Sequence, residues 1–233
     1  MDELKKNKYF LFIGLDKIKF VALNETNKIF YNRIIKVDNS KSDENFDNLK
    51  NFLEKNIIEI EKNLKNYVKD IILIIDGQNF LTIDMSSIYN FKNHFNQNND
   101  ISNLFVDLKN DLKKYMMHYE IIHMIINKYI IGEKSYFLVP KELHHENIFL
   151  EIRFICLKID IYQKLKSFFT KYQITIKNVL SYEYVNSFKK STQDNIYDIA
   201  DKLLNGLNQN EILFTNKTLK NKGFFEKFFD FFG

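Results

Sequence analysis

The stretch "DIILIIDG" (70–77) constrains the fold more than any other, because Ile71 to Ile75 are apolar at every position. A strand with one wet face alternates; an unbroken apolar run closed by Asp-Gly reads as a strand covered on both faces. Five residues fall far short of the roughly 20 that a membrane-spanning helix needs. The cover must therefore come from the rest of the chain. With 233 residues, 45% of them hydrophobic, it can build one compact domain or two small ones.

The preceding residues supply the first layer. "YFLFIGL" (9–15), "KIKFVAL" (17–23) and "KIFYNRIIKV" (28–37) are β-rich runs with short connections and predict a three-stranded meander. From about Asn45 to Tyr67, Phe46, Leu49, Leu53, Ile57, Ile60 and Leu64 recur at spacings of three and four, the apolar face of a helix. After Gly77 the texture changes. "NFLTIDMSSI" predicts a strand, "NNDISNLFVDLKNDLKKYM" a helix with Asp100 or Ser102 near its N-cap, and "YEIIHMIINKYIIGEKSYFLV" paired strands turning near Gly132. A strand over 147–159, a helix over 161–172 and a strand over 174–180 follow, and Ile196, Ile199, Ala200, Leu203, Leu204 and Leu207 mark one more helical face. The fold class is α+β.

Charge excludes little by itself. The formal net charge of +4 is spread over lysines along the whole length, and Arg33 and Arg153 are the two arginines available for bidentate phosphate contacts, so no nucleic-acid partner is expected. The single cysteine, Cys156, sits in an apolar alternating run and reads as a small buried hydrophobe suited to a reducing cytoplasm. The N-terminal apolar part is too short for a signal peptide and no small-residue cleavage site follows it.

Catalytic patterns are missing. His144 and His145 are adjacent after Pro140 with no third ligand at zinc spacing, and His123 alternates with isoleucines as a hydrogen-bonded structural histidine would. Asp16 and Asp76 each follow a strand and read as turn formers. No phosphate-loop, dinucleotide-binding, serine-hydrolase or zinc-protease motif occurs. No catalytic residue, cofactor or metal is expected.

Three stretches resemble the FtsA family of bacterial cell-division proteins, membrane-tethered relatives of actin. "LIIDGQNF" (73–80) stands where that family has its "GISG-x-H-I" strand. "IHMIINKYIIGEK" (122–134) stands for the "LHxIPxxYxxDG" hairpin, keeping His123, Ile125 and Tyr129 with Ile126 in place of the proline. The stretch 149–185 is similar to the strand-helix-strand closing the family's inserted subdomain, without its alanines. The resemblance runs from about Tyr9 to Lys190. It implies a partial actin-like (ribonuclease H-like) subdomain over 1–78, an inserted SHS2-type α+β module over 79–180, return helices over 181–215, a linker at 216–222 and a C-terminal amphipathic helix at 223–233.

Departures from the family carry the mechanism. Where its first hairpin brackets a "GIDIGTSKIKV" phosphate loop, this chain reads "IGLDKIKFV", as if "IGTS" had been cut out. The second phosphate loop and second half of the fold, expected beyond Lys190, are likewise missing from the sequence. The resemblance thus implies a division adaptor without nucleotide hydrolysis, at the cytoplasmic face of the inner membrane and the septum. Its implied partners are division proteins, or copies of itself, through the inserted subdomain. The family's FtsZ-binding surface lies in the missing half, which argues against direct FtsZ binding. Two alternatives stay open: a scaffold similar to the pilus-assembly protein PilM, and an actin-like ATPase with a divergent site.

The tail "GFFEKFFDFFG" (223–233) supplies the membrane expectation. At about 100° per residue, Phe224, Phe225, Phe228, Phe229, Phe231 and Phe232 share an arc of about 160°, with Glu226, Lys227 and Asp230 opposite. Lys220, Lys222 and Lys227 lie beside them, which suits anionic inner-membrane lipids. The alternative is a terminal helix docked on the protein's own core.

Overall fold

The computed structural model describes residues 7–37, 44–90, 97–138 and 147–213. In chain order the elements are β1 (Lys8–Ile13), β2 (Lys17–Leu23), β3 (Ile29–Lys36), α1 (Glu44–Leu64), β4 (Asp70–Ile75), β5 (Phe80–Asn90) and α2 (Gln97–Tyr115). Then come β6 (Tyr119–Ile131), β7 (Lys134–Tyr136), β8 (Asn147–Lys158), α3 (Ile159–Lys171), β9 (Thr175–Ser181), α4 (Tyr182–Asn186) and α5 (Ile196–Leu204).

The first sheet has the order β3-β2-β1-β4-β9. β1, β2 and β3 form the expected antiparallel meander, and β4 runs parallel to β1, with Phe10 beside Ile72 and Ile13 beside Ile75. β9 lies parallel on the far side of β4. This is the strand order and direction of an actin-like, ribonuclease H-like subdomain. Ile71 to Ile75 are all buried, as an apolar central strand requires. On one face α1 contributes Leu49, Phe52, Leu53 and Ile60, and Phe46 meets α3 at the Phe168 ring, 5.4 Å away. On the other, Phe10 meets Tyr197 of α5 at 5.8 Å and Phe12 meets Tyr182 of α4 at 5.3 Å. Asn27, at φ 58, donates its amide to Asp201 of α5 at 3.0 Å, and the Lys8 ammonium reaches the same carboxylate at 2.7 Å.

The second sheet has the order β5-β8-β6-β7 and carries α2 on one face. β8 alternates up to Phe154 and is buried at every position from Phe154 to Leu157, and Ile148, Leu150, Ile152, Phe154 and Cys156 all enter this core. In its partner β6 the register slips between Ile121 and His123 and again between Ile126 and Lys128. Each slip is a β-bulge that switches the inward phase, so Ile121, Met124, Ile126, Tyr129 and Ile131 stay opposite the β8 core residues. Gly132, at φ 61, makes the expected turn into β7.

The chain divides into two compact units, 1–80 with 160–203 and 81–159 with 204–233. This corrects the expected insert at 79–180. α3 and β9 belong to the first unit because β9 completes the parallel sheet beside β4. The return segment 181–215 is corrected as well. It holds α4 and α5, but the helix ends at Leu204 before Gly206, at φ 88, and 210–212 pairs with β6. α2 begins at Gln97, so Asp100 and Ser102 lie inside the helix; nothing in Gln97–Asn99 breaks one.

Leu73, central in its strand and fully buried, tests this packing. Leu73→Ala should cost about 2–5 kcal/mol in urea unfolding, by lost transfer energy plus a cavity.

Candidate functional site

Parallel strands direct ligands to their carboxyl ends. In the first unit that end is built by the β1–β2 turn, the residues after β4, and Ser181 with α4. The turn is short: the Gly14 N–H donates to the Lys17 carbonyl at 2.9 Å, leaving Leu15 and Asp16 as the connection. Glycine is needed there for space, since a Cβ would collide with the Phe12 ring and come within 3.2 Å of the Lys17 oxygen. The Asp76 N–H donates to the Ile13 carbonyl at 2.9 Å and the Val37 N–H to the Asp16 carbonyl at 2.8 Å. Three backbone donors that could face a phosphate are thus engaged inside the fold.

The side chains at this end do not suit an anion either. Leu15 lies against Gly77, where a Cβ would sit 3.5 Å from its Cδ2. Burial raises the Asp76 carboxyl above its ordinary range, and the nearby carboxylates of Asp16 and Glu183 push it the same way against the Gly77 N–H and Lys17. Lys17 stands 3.8 Å from Asp16 and 5.9 Å from the Phe12 ring centre. The Ser181 hydroxyl accepts from the Tyr184 N–H at 3.5 Å and caps α4. Asp16 and Asp76 stand in turns as the sequence suggests, and Glu183 joins them only through the fold.

In the second unit His123 is the structural histidine expected. Its Nδ1 lies 2.6 Å from the Glu211 carboxylate, the two side chains only 1% and 3% exposed. Around them the Ile126 N–H donates to the Asn210 carbonyl at 2.9 Å and the Ile212 N–H to the Met124 carbonyl at 2.8 Å. Residues 210–212 are therefore a short strap on the β6 edge. Glu211 carried no sequence signal, since "NQNEIL" has neither period nor motif. Cys156 is fully buried, and burial, with Glu120 adding to it, pushes its thiol up to about 11, which keeps it an inert core residue.

Among the described residues, no group of three His, Cys, Asp or Glu could hold a metal ion. No described helix is long and apolar enough to cross a membrane. A groove of about 690 Å³ between α1 and α3 has Phe46, Phe168 and Tyr172 among its lining and Lys50, Glu54 and Lys164 beside them. The expected lipid-binding residues Phe224, Phe225, Phe228, Phe229, Phe231, Phe232, Lys220, Lys222 and Lys227 lie outside the described residues, as do His144 and His145.

No protein-family model matches this chain. No curated protein matches it either. Among solved structures, it is similar to the cytoplasmic domain of EpsL, an inner-membrane component of the type II secretion system of Vibrio cholerae. The TM-score is 0.38 at 6% identity, over 80% of this chain and 61% of that one. For the PilM–PilN type IV pilus biogenesis complex the values are 0.47 and 6%, over 78% and 49%. For a Bacteroides thetaiotaomicron protein with an actin-like ATPase fold and unknown function they are 0.32 and 16%, over 78% and 55%. The chain thus spans between 49% and 61% of the length of these structures.

Two outcomes are expected. Glu211→Ala should speed hydrogen exchange at the Ile126 and Ile212 amides while β1 and β4 stay protected, because the strap loses its buried partner. Asp76→Asn should raise the thermal midpoint at neutral pH. A carboxyl whose folded pKa is raised is most favourable when protonated, so the gain should shrink as pH falls through the carboxylate range and the wild-type group takes up its proton.

Proposed function

We propose that this protein is a peripheral membrane adaptor of the FtsA type. It would act at the cytoplasmic face of the inner membrane at the division site and without nucleotide hydrolysis. The observation that carries this reading is the closed β1–β2 hairpin. At the place where an actin-like subdomain would cradle phosphate, Gly14 donates to Lys17, Leu15 covers Gly77, and the nearby carboxylates repel an anion. What remains useful is surface, and the sequence adds a means of bringing that surface to a membrane.

The tail is the anchor in this reading. Each phenylalanine fully buried among lipid contributes at most about 1.5–3 kcal/mol, and each lysine near an anionic surface about 1 kcal/mol. An eleven-residue helix is marginal in water, so much of this offsets its ordering on contact with lipid. One tail binds weakly; several on one assembly bind firmly. Division rather than pilus assembly is favoured by the "IHMIINKYIIGEK" hairpin and the amphipathic tail, which follow the FtsA pattern. Placement of the tagged protein at septa or at pilus complexes distinguishes the two.

Sedimentation with anionic liposomes tests the anchor. The native chain should pellet, while Phe225→Asp with Phe228→Asp, and a chain stopped after Lys222, should stay folded in the supernatant. Unfolding of either variant would put the phenylalanines in the core and end the reading. Mg-ATP should show no saturable binding at millimolar concentration; micromolar binding lost in Asp16→Ala would restore the ATPase alternative.

A further inference from the structure

β3 ends the first sheet, and the bonding phase of its neighbour shows which of its backbone groups face outward. Val37 donates its N–H to the Asp16 carbonyl, and in an antiparallel pair such bonded positions alternate with unbonded ones. In the register that sets Ile35 opposite Ile18 and Arg33 opposite Phe20, the backbone groups of Tyr31, Arg33 and Ile35 turn to β2. Those of Asn32, Ile34 and Lys36 turn away from the sheet, and no described strand lies beyond them. The same edge exposes apolar side chains: Ile34 is 51% exposed and Phe30 45%. No proline or mid-strand bulge guards 31–36, and Arg33 and Lys36 are the charges on it; the one irregularity sits at the far end, between Ala22 and Leu23 on β2.

We propose that this edge pairs with the same edge of a second copy of the chain, antiparallel about a two-fold axis at Ile34. The sequence is self-complementary in that register. Ile34 faces Ile34 of the second copy, Asn32 faces Lys36, and Arg33 faces Ile35, so all three outward residues are bonded and no like charges oppose. Neighbouring registers do worse. Centring on Arg33 sets arginine against arginine, centring on Asn32 sets Lys36 against Lys28, and centring on Ile35 carries Asn32 past the end of β3. A seam of this length buries less than the roughly 1,000 Å² of a stable interface, so the pairing is weak and reversible. It does not depend on the membrane reading.

The test uses the full chain carrying Phe225→Asp and Phe228→Asp, so that tail contacts contribute nothing. In sedimentation its mean mass should rise with concentration toward a dimer. Ile34→Pro removes an N–H that β2 does not use, so it should stay folded and monomeric. Single cysteines read the register. Ile34→Cys places two thiols at the axis, where bonded partners lie about 5.5 Å apart, and should oxidise to a dimer at least about tenfold faster than Lys36→Cys. A mixture of Asn32→Cys and Lys36→Cys should give the mixed dimer. Cys156 is fully buried and does not compete. A monomeric mass at every concentration, or equal cross-linking rates at positions 34 and 36, would overturn the proposal. Should Ile34→Pro fail to fold, the cysteine rates decide alone.

Discussion

Everything in the first unit depends on β4 pairing in parallel with a strand on each side. Hairpins cannot make parallel pairs; each needs a crossover of a dozen or more residues. The first crossover, from β1 to β4, runs through β2, β3 and α1. The second, from β4 to β9, runs through the whole of 81–159 before α3 brings the chain back. Residues 81–159 of the second unit are thus part of a crossover in the chain between two strands of the first sheet. The second unit carries its own sheet and its own apolar core, while the register of β4 against β9 shifts once, between Ile71 and Ile72, and the run 71–75 stays buried throughout.

Much of this was legible in the residues because burial dictates pattern. An unalternating run had to be central, the spacing from Leu49 to Leu64 had to be a helix face, and the β8 alternation had to show one side to a core. The misses have physical causes too. The β6–β7 pair was legible, but the two bulges in β6, which switch the inward phase, leave no mark in the sequence pattern. The insert boundary failed because strand and helix patterns at 161–180 say nothing about which sheet receives them. The pairing of His123 with Glu211 spans 88 residues and joins a strand to a stretch without periodicity. No local pattern holds such information.

The β1–β2 turn shows how local backbone bonding shapes the carboxyl end of the sheet. The turn residues sit at the carboxyl end of a parallel strand, the position where α/β architecture offers backbone donors to ligands. With a connection two residues long, the hairpin bonds to itself, and a Cβ at Gly14 would force the Phe12 ring to move. The sheet behind it is unaffected, since the same Ile13 carbonyl that ends β1 still accepts from Asp76. Sheet architecture and ligand chemistry are therefore separable here: the first is carried by buried apolar strands, the second by a few backbone groups beyond their ends.

The strap at 210–212 ties the end of the described residues to the second sheet. Two backbone hydrogen bonds join it to β6, and the buried contact between His123 and Glu211 pins it from the side. The bonds to Met124 and Ile126 flank the bridge between Ile125 and Glu211. β6 is in turn bonded to β8 along its length. The strap is thereby continuous with the sheet that packs beneath α2. A short, buried attachment continuous with a sheet is thus assembled from side chains 88 residues apart in the sequence.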